Sequence, residues 1–318
     1  MKKTINTQQA WGGKIAAYLF LAGVGAGSYL VGFVVNLTRP DLVILSRIGV
    51  LLGAPLVIIG ILFLILDLGK KPLALLAFSQ PGSSWIARGT IIITAFVILT
   101  LVHIGLWIWP STWLEGAPVL HLALGSITAI FALLTLIYTG MVLGVAKPIP
   151  FWDPLVLPGL FLVSGVSTGT MGIAFYLSMY GLSSGSAVEP PLTLLARCDI
   201  FIIIVEALII GGYLLRMHHL SGAQASARMV LRGNLAAPFW GGVVAAGLVI
   251  PLVLEVYLAY LSPPSPATAL VLTAVAGIIG LIGGFMLRYV VVAGGASLPL
   301  NVNGIPVPVP KTPRVTVP

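Results

Sequence analysis

Ionisable and hydroxyl side chains interrupt long apolar stretches of this sequence, in positions where they could transfer protons or bind a polar ligand. They are Lys14, Tyr18, Asp67, His103, His121, Tyr138, Arg197, Asp199, Glu206 and Glu255. An ionisable group in the hydrocarbon core of a membrane is costly, so each such residue is a candidate for function. That argument applies only if the surrounding segments cross a membrane.

The composition is that of a membrane protein. Of the 318 residues, 58% are hydrophobic and 8% are charged, whereas a soluble domain carries about 25% charged residues. Apolar windows of about 20 residues, the length that crosses a bilayer, recur along the chain and leave no room for a separate soluble domain. The net charge of +8 indicates membrane topology rather than a nucleic-acid partner, because basic residues of membrane proteins gather on one side.

The elements that position these side chains are predicted to be transmembrane helices, so the fold class is all-α integral membrane. Eight spans are predicted, at about 11–37, 48–68, 90–109, 119–145, 154–180, 192–217, 239–261 and 267–292. Pro- and Gly-containing connections separate them, as loops require. Residues 293–318 form a Pro/Val-rich C-terminal tail without helical periodicity, which predicts an extended strap.

Basic residues favour one face of the predicted bundle. Thirteen of the 16 Lys and Arg residues, Arg288 among them, fall at the face that carries the termini, and Arg39, Arg47 and Arg197 fall at the other. The positive-inside rule therefore predicts that both termini lie in the cytoplasm, on the inner side of the cell membrane. The alternative is that the basic face docks an acidic partner.

Closely spaced glycines mark the first span, in the segment YLFLAGVGAGSYLVGF. A dinucleotide-binding loop would need a preceding strand and an acidic residue about 20 positions later, and neither is present. Gly23 and Gly27 lie four residues apart on one helical face, and Gly280 and Gly284 repeat the spacing in the last span. Small residues at this spacing predict that another helix packs closely against each of these faces.

The candidate residues fall into two layers. Lys14, Tyr18, Asp67 and Tyr138 lie in the layer nearest the termini, and the opposite layer contains His103, His121, Arg197, Asp199, Glu206 and Glu255. The deep carboxylates fit either a structural role, protonated or hydrogen-bonded to a neighbouring helix, or a role in proton relay or ion coordination. The single cysteine, Cys198, excludes a cysteine-ligated iron–sulfur cluster in this chain.

Several segments together resemble the NrfD/polysulfide reductase membrane-subunit family. They are YLFLAGVGAGSYLVG in span 1, LDLGKK and FSQPGSSWIARG around the second connection, LIYTGMVLGVAKPIPFWD at the end of span 4, and LPGLFLVSGVSTG in span 5. The resemblance implies a haem-free membrane subunit built as two four-helix bundles. Such subunits exchange electrons between quinones and an iron–sulfur protein, which usually serves a molybdopterin catalytic subunit. Neither a haem, an iron–sulfur cluster nor a metal site is expected in this chain.

The resemblance also implies which residues contact the quinone. Tyr138 in LIYTG matches the family's pocket tyrosine, and Asp67 falls at a carboxylate position near the same pocket. Tyr18 stands where the polysulfide reductase subunit has a quinone-contacting histidine, and Lys14 stands where it has an asparagine, so this sequence departs from the family at both positions. Many relatives carry the catalytic module outside the cytoplasm, whereas the basic residues here predict the corresponding face inside.

These side chains have the chemistry that the resemblance requires. A quinone headgroup needs donors for two carbonyl oxygens and an apolar slot for its tail. Lys14, Tyr18 and Tyr138 are donors, and Asp67 can exchange protons during two-electron chemistry. A proton pathway from the opposite face is expected to run through Glu206, with Asp199, Arg197, His121 and Glu255.

Two other functions remain open at the level of sequence. A proton- or ion-coupled transporter would use Glu206 and Glu255 near the midplane, although no convincing inverted repeat is present. A histidine-ligated cytochrome b subunit would use His103 and His121. The only other histidines, His218 and His219, are adjacent in a predicted loop, and a dihaem subunit needs four histidines at matched depths.

Overall fold

The computed structural model describes residues 12–67, 82, 84–108, 118–146, 149–185, 188–220, 222–261, 265–296, 301–302 and 305–306. The long helices of this part are α1 (Gly13–Thr38), α2 (Val43–Asp67), α3 (Trp85–Ile108), α4 (Pro118–Ala146), α5 (Leu157–Ser184), α6 (Glu189–His219) and α9 (Pro266–Ala296). The two short helices are α7 (Gln224–Arg232) and α8 (Ile250–Tyr260), and a π-helical segment, Pro238–Val249, runs directly into α8.

Eight helical segments of the described part are long and apolar enough to span a membrane, which confirms the predicted number. The predicted second and third spans begin five residues too late, because the predicted apolar windows start after the charged residues Arg47 and Arg88, whereas both helices begin before them. The last span was predicted to end at 292, but α9 continues to Ala296. We call the face where α1 begins and α9 ends the N-terminal face, and the other the opposite face.

α7 was not predicted. It is too short and too polar to be a span, and it packs through Ser226, Ala227 and Val230, which are buried. Arg228 and Arg232 are exposed on the other side of the helix. The helix is therefore a surface element that connects spans six and seven at the N-terminal face.

Glycines bring the backbones of the central helices together, as predicted for the first span. A Cβ atom at Gly27 would overlap the carbonyl of Gly165 in α5, and one at Gly25 would lie 2.5 Å from the carbonyl oxygen of Gly53 in α2. α9 packs in the same way, because a Cβ atom at Gly283 would overlap Gly247 in the π-helical segment. The glycine stripes are helix–helix interfaces.

α1, α5 and α9 form the centre of the bundle. α1 packs against α2, α4, α5 and α9, and α5 packs in addition against α6 and α9. α3 contacts α2 and α4, and α8 lies between α6 and α9. The all-helical membrane fold is confirmed, while the division into two four-helix bundles stays a prediction.

The C-terminal tail is described at four positions, where Asn301–Val302 pairs with Ile305–Pro306 in an antiparallel arrangement. Residues 293–296 of the predicted tail belong to α9, and the remainder lies outside the described residues. The extended strap therefore stays a prediction.

One topological assignment was wrong. Arg288 was counted among the basic residues of the N-terminal face, but its side chain is 0% exposed in the core. The reason is the extra turn of α9, which places Arg288 about 12 Å from the helix end at 1.5 Å per residue. The location of the termini in the cytoplasm stays a prediction that rests on the other basic residues.

Candidate functional site

Two predicted site tyrosines lie near each other in the core, close to the N-terminal face. Tyr18 in α1 and Tyr138 in α4 are buried, and their phenols are close enough to interact electrostatically. The Tyr138 ring lies directly on the backbone of Gly89 in α3, where a Cβ atom would overlap the ring carbons. Three helices therefore fix the position of this tyrosine. Among the described residues, neither hydroxyl forms a hydrogen bond, so both are available as donors.

Lys14 and Asp67 flank the tyrosines on the side of the N-terminal face. Lys14 is exposed in the first turn of α1, four residues before Tyr18. The backbone of α2 approaches α1 at Gly60, where a Cβ atom would lie 3.2 Å from the Tyr18 carbonyl oxygen. Asp67 ends α2, about 10 Å further along the helix axis at 1.5 Å per residue, which brings its backbone toward the level of Lys14. The Asp67 side chain lies outside the described part of the chain.

The segment between α4 and α5 covers the core at this face. The Trp152 indole Nε1 donates to the Val291 carbonyl at 2.9 Å, and the Tyr213 hydroxyl donates to the Phe151 carbonyl. Arg216 donates through Nε to Asp153 at 2.7 Å. Burial raises the pKa of the Asp153 carboxyl, but the Leu155 N–H and Arg216 bind the charged form and hold that pKa below its ordinary value. The segment is therefore anchored to α6 and α9.

Two of the predicted proton-pathway residues form a pair near the opposite face. Asp199 in α6 is 0% exposed and Glu255 in α8 is 8% exposed, and their carboxyl groups lie close enough to influence each other electrostatically. Within the described part of the chain, neither oxygen of Asp199 has a hydrogen-bond partner, and neither has Oε2 of Glu255. Glu255 lines a cavity of about 300 Å³ between α5, α6, α8 and α9, close to where α6 and α9 begin. Glu255 therefore connects the pair to a cavity near the opposite face.

Glu206 continues this series toward the middle of the bundle. It lies seven residues after Asp199 on the same face of α6, about 10 Å along the axis, and it interacts electrostatically with Arg288 in α9. Arg288 donates through Nη1 to Ser164 Oγ at 2.6 Å and to the Gly284 carbonyl at 2.9 Å. A cavity of about 10 Å³ borders Glu206 and Ser167, which is about the space that one water molecule needs.

The structure separates Arg197 and His121 from this series. Arg197 is exposed, and its guanidinium carbon lies 5.7 Å from the centre of the Tyr260 ring, so it does not pair with Asp199. The His121 ring centre lies 6.0 Å from that of His103, whose Nδ1 is 2.7 Å from the Tyr29 hydroxyl. Of the five residues expected in a proton pathway, the structure brings together Asp199, Glu206 and Glu255.

Sequence reasoning missed three contributors to these groups. Arg288 was assigned to the surface, although an arginine that follows the glycines at 280, 283 and 284 within one apolar span is a signal of burial. Ser164 and the platform for Tyr138, Gly89, gave no signal, because serine and glycine are common throughout these spans. The cavities described above do not border Tyr18 or Tyr138.

Comparison with known proteins gives consistent matches. Residues 3–299 match the family model described as "Polysulphide reductase, NrfD". The C subunit of the polysulfide reductase of Wolinella succinogenes is 31% identical over 274 residues, which cover 78% of this chain and 83% of that protein. Protein NrfD of Escherichia coli is 23% identical over 309 residues, with 90% of this chain and 94% of that protein covered. A protein NrfD homolog of Haemophilus influenzae is 25% identical over 275 residues, or 78% of this sequence and 83% of that protein.

Proposed function

Because this chain belongs to the NrfD/polysulphide reductase family, we propose that it exchanges electrons between the membrane quinone pool and an iron–sulfur partner. The family consists of membrane subunits of oxidoreductase complexes. In the proposed complex the iron–sulfur subunit carries electrons to or from a molybdopterin catalytic subunit. Quinone and quinol are the redox carriers, and this chain supplies their binding site rather than the catalytic centre.

The observation that carries the proposal is the Tyr18–Tyr138 pair. Two buried phenols, near the N-terminal face and without hydrogen bonds to other described residues, are donors suited to carbonyl oxygens of a headgroup. Lys14 lies one turn from Tyr18, toward the surface. The residues present therefore fit a quinone headgroup that enters from the bilayer beside α1 and α4.

A quinone supplies two-electron chemistry coupled to two protons, and the protein's part is to orient it and move those protons. In the proposed site the Tyr138 hydroxyl donates to one carbonyl oxygen, with the ring held in place by the backbone of Gly89. Tyr18 or Lys14 donates to the other. Asp67, at the end of α2, is the proposed group that exchanges protons with the water beyond the N-terminal face.

We also propose that Glu255, Asp199 and Glu206 relay protons from the opposite face. The cavity beside Glu255 gives access from that face, and the carboxyl pair and Glu206 continue inward in electrostatic contact. Arg288 lies beyond Glu206 and reaches α1, where a Cβ atom at Gly23 would be 3.1 Å from its Nη2. Gly23 is about 7.5 Å along the axis from Tyr18, so the series ends near the proposed quinone site.

The test is purification of the protein with its complex from native membranes, followed by quinol-linked turnover. An iron–sulfur protein should copurify. Tyr138→Phe should lower turnover about two- to tenfold, the equivalent of one hydrogen bond of about 0.5–1.5 kcal/mol, while assembly is retained. Tyr260→Phe, at an exposed tyrosine on α8, is the matched control. An intact complex without an iron–sulfur protein, or full turnover by Tyr138→Phe, would contradict the proposal.

A further inference from the structure

The opposite face carries a second polar pocket, away from the proposed quinone and proton groups. It has a volume of about 160 Å³ and lies where α1 and α3 end and α2 and α4 begin. Its polar lining consists of Asn36, Ser46, Arg47, His103 and His121. The bond between Tyr29 and His103 Nδ1 fixes the orientation of one imidazole. The pocket therefore collects hydrogen-bonding groups of which one is a permanent cation.

An apolar groove adjoins this pocket across α2. It has a volume of about 250 Å³, and Ile44, Ile48, Leu51, Ile104, Tyr176 and Tyr180 line it. Arg47 borders both the pocket and the groove. A ligand that contacts Arg47 can therefore place a polar group on one side of α2 and an apolar chain on the other.

The charge at this site is unbalanced. Arg39, at the end of α1, forms two hydrogen bonds with Asp41, at 2.9 and 2.7 Å, and its charge is thereby neutralised. Arg47, in contrast, makes no ion pair within the described part of the chain. A pocket with an unpaired guanidinium beside two imidazoles and a serine hydroxyl favours an anion, and a phosphate accepts hydrogen bonds from all of these groups.

The depth of Arg47 matches a membrane interface. It lies four residues after the start of α2, about 6 Å along the axis. Tyr176 and Tyr180 lie in the last turns of α5, at the level where tyrosine rings meet lipid headgroups. The pocket is therefore at headgroup depth, and the groove extends from it toward the hydrocarbon core.

We propose that this pocket binds the phosphate of a membrane phospholipid, with an acyl chain of the same molecule in the groove. A free phosphate would use Arg47 and the pocket but would leave the groove unused. A phospholipid fills both, because the guanidinium of Arg47 can bind phosphate oxygens through paired N–H donors while the groove accepts an acyl chain. The site is independent of the proposed electron and proton transfer.

The experiment measures lipid bound to the full-length protein, purified in mild detergent and stripped of weakly held lipid, by native mass spectrometry. The ligands are phosphatidylglycerol, a diacylglycerol with the same acyl groups, and inorganic phosphate. We expect one retained phospholipid per protein molecule, and binding of phosphatidylglycerol that is at least tenfold tighter than that of diacylglycerol. Arg47→Gln should weaken phosphatidylglycerol binding about tenfold, since a hydrogen bond to a charged group contributes about this factor.

Three variants keep the result interpretable. Arg47→Lys retains the charge and should retain most of the affinity, which separates charge from misfolding. Arg197→Gln removes an exposed cation at the same face, outside the pocket, and should have no effect. Leu51→Trp, at a partly exposed groove position, should weaken phospholipid binding but leave inorganic phosphate unaffected.

Specific outcomes overturn the proposal. One is equal phosphatidylglycerol binding by the wild type and Arg47→Gln. A second is that phosphatidylglycerol binds the wild type no more tightly than inorganic phosphate does, and that phosphate binding persists in Leu51→Trp. This result would identify a site for a free anion. A third is a quinone, rather than a phospholipid, as the molecule retained in the wild type and lost in Arg47→Gln.

Discussion

Replacement of Gly89 by alanine tests how the proposed quinone site is held in place. The three atoms nearest to a Cβ at Gly89 are ring carbons of Tyr138, and they overlap it. Gly105, in the same helix α3, has no atom of the described residues within 4 Å of its added Cβ. The same substitution at the two glycines therefore differs only in whether it displaces the tyrosine.

The size of the effect follows from the geometry. Carbon atoms in contact prefer separations of about 3.5–4.0 Å, so the ring has to move by on the order of 2 Å in Gly89→Ala. A side chain forced off its rotamer costs about 0.5–1.5 kcal/mol, and the displaced hydroxyl loses a hydrogen bond of similar size to the quinone. Turnover should then fall about two- to tenfold, as in Tyr138→Phe. Gly105→Ala should be neutral or stabilise α3 by up to about 1 kcal/mol through helix propensity.

The assay is quinol-linked turnover of the purified complex, normalised to the amount of assembled protein, for each single variant and for Gly89→Ala/Tyr138→Phe. Because both changes remove the same hydrogen bond, the double variant should lose no more turnover than the worse single variant. Full turnover in Gly89→Ala, with an impaired Tyr138→Phe, would show that the packing on Gly89 does not position the hydroxyl. Multiplied losses in the double variant would show that the two residues act independently.

Three further predictions concern stability, measured by thermal unfolding in detergent. Gly27→Ala should destabilise the folded protein by about 1–3 kcal/mol, because the added methyl group overpacks against Gly165. Gly211→Ala should have no such effect, since no atom of the described residues lies within 4 Å of its added Cβ. Equal melting temperatures for the two variants would refute the interface between Gly27 and Gly165. Asp153→Asn should cost about 1 kcal/mol at neutral pH. In the folded protein the pKa of Asp153 lies below its ordinary value of 3.8. The extra stability of the wild type over Asp153→Asn is therefore present above about pH 4 and disappears on acidification. A stability difference between the two that does not change with pH would contradict the ion pair. Arg288→Met should lower the free energy of unfolding by about 3–5 kcal/mol, because it leaves Glu206 without its cation. Adding Glu206→Gln to this variant should restore much of that loss. A double variant that is as unstable as Arg288→Met would exclude the pair.

The sequence predicted the helices better than the contacts between them. Eight spans and the packing role of Gly27 follow from apolar length and from small residues at helical spacing, which are local properties of the chain. The separation of His121 from Asp199 was not predictable, because it depends on which helices become neighbours. α4 packs against α1, α3 and α5, while Asp199 faces α5 and α8. Depth in the membrane, the property that the sequence does encode, placed both residues in one layer without distinguishing their positions within it.

The glycines of α1 and α9 and the buried charge of Arg288 depend on each other. A Cβ at Gly23 would lie 3.1 Å from Nη2 of Arg288, and one at Gly284 would lie 3.3 Å from Nη1. Both contacts are too tight for an ordinary side chain, so the glycines that let α1, α5 and α9 approach also leave the space that the guanidinium occupies. A buried arginine is stabilised when its donors meet acceptors and a counter-charge. Nη1 donates to Ser164 and to the Gly284 carbonyl, and Glu206 supplies a negative partner, while Nε and Nη2 have no hydrogen-bond partner among the described residues. Close backbone packing therefore shapes the space in which Arg288 and Glu206 interact, between the two proposed sites.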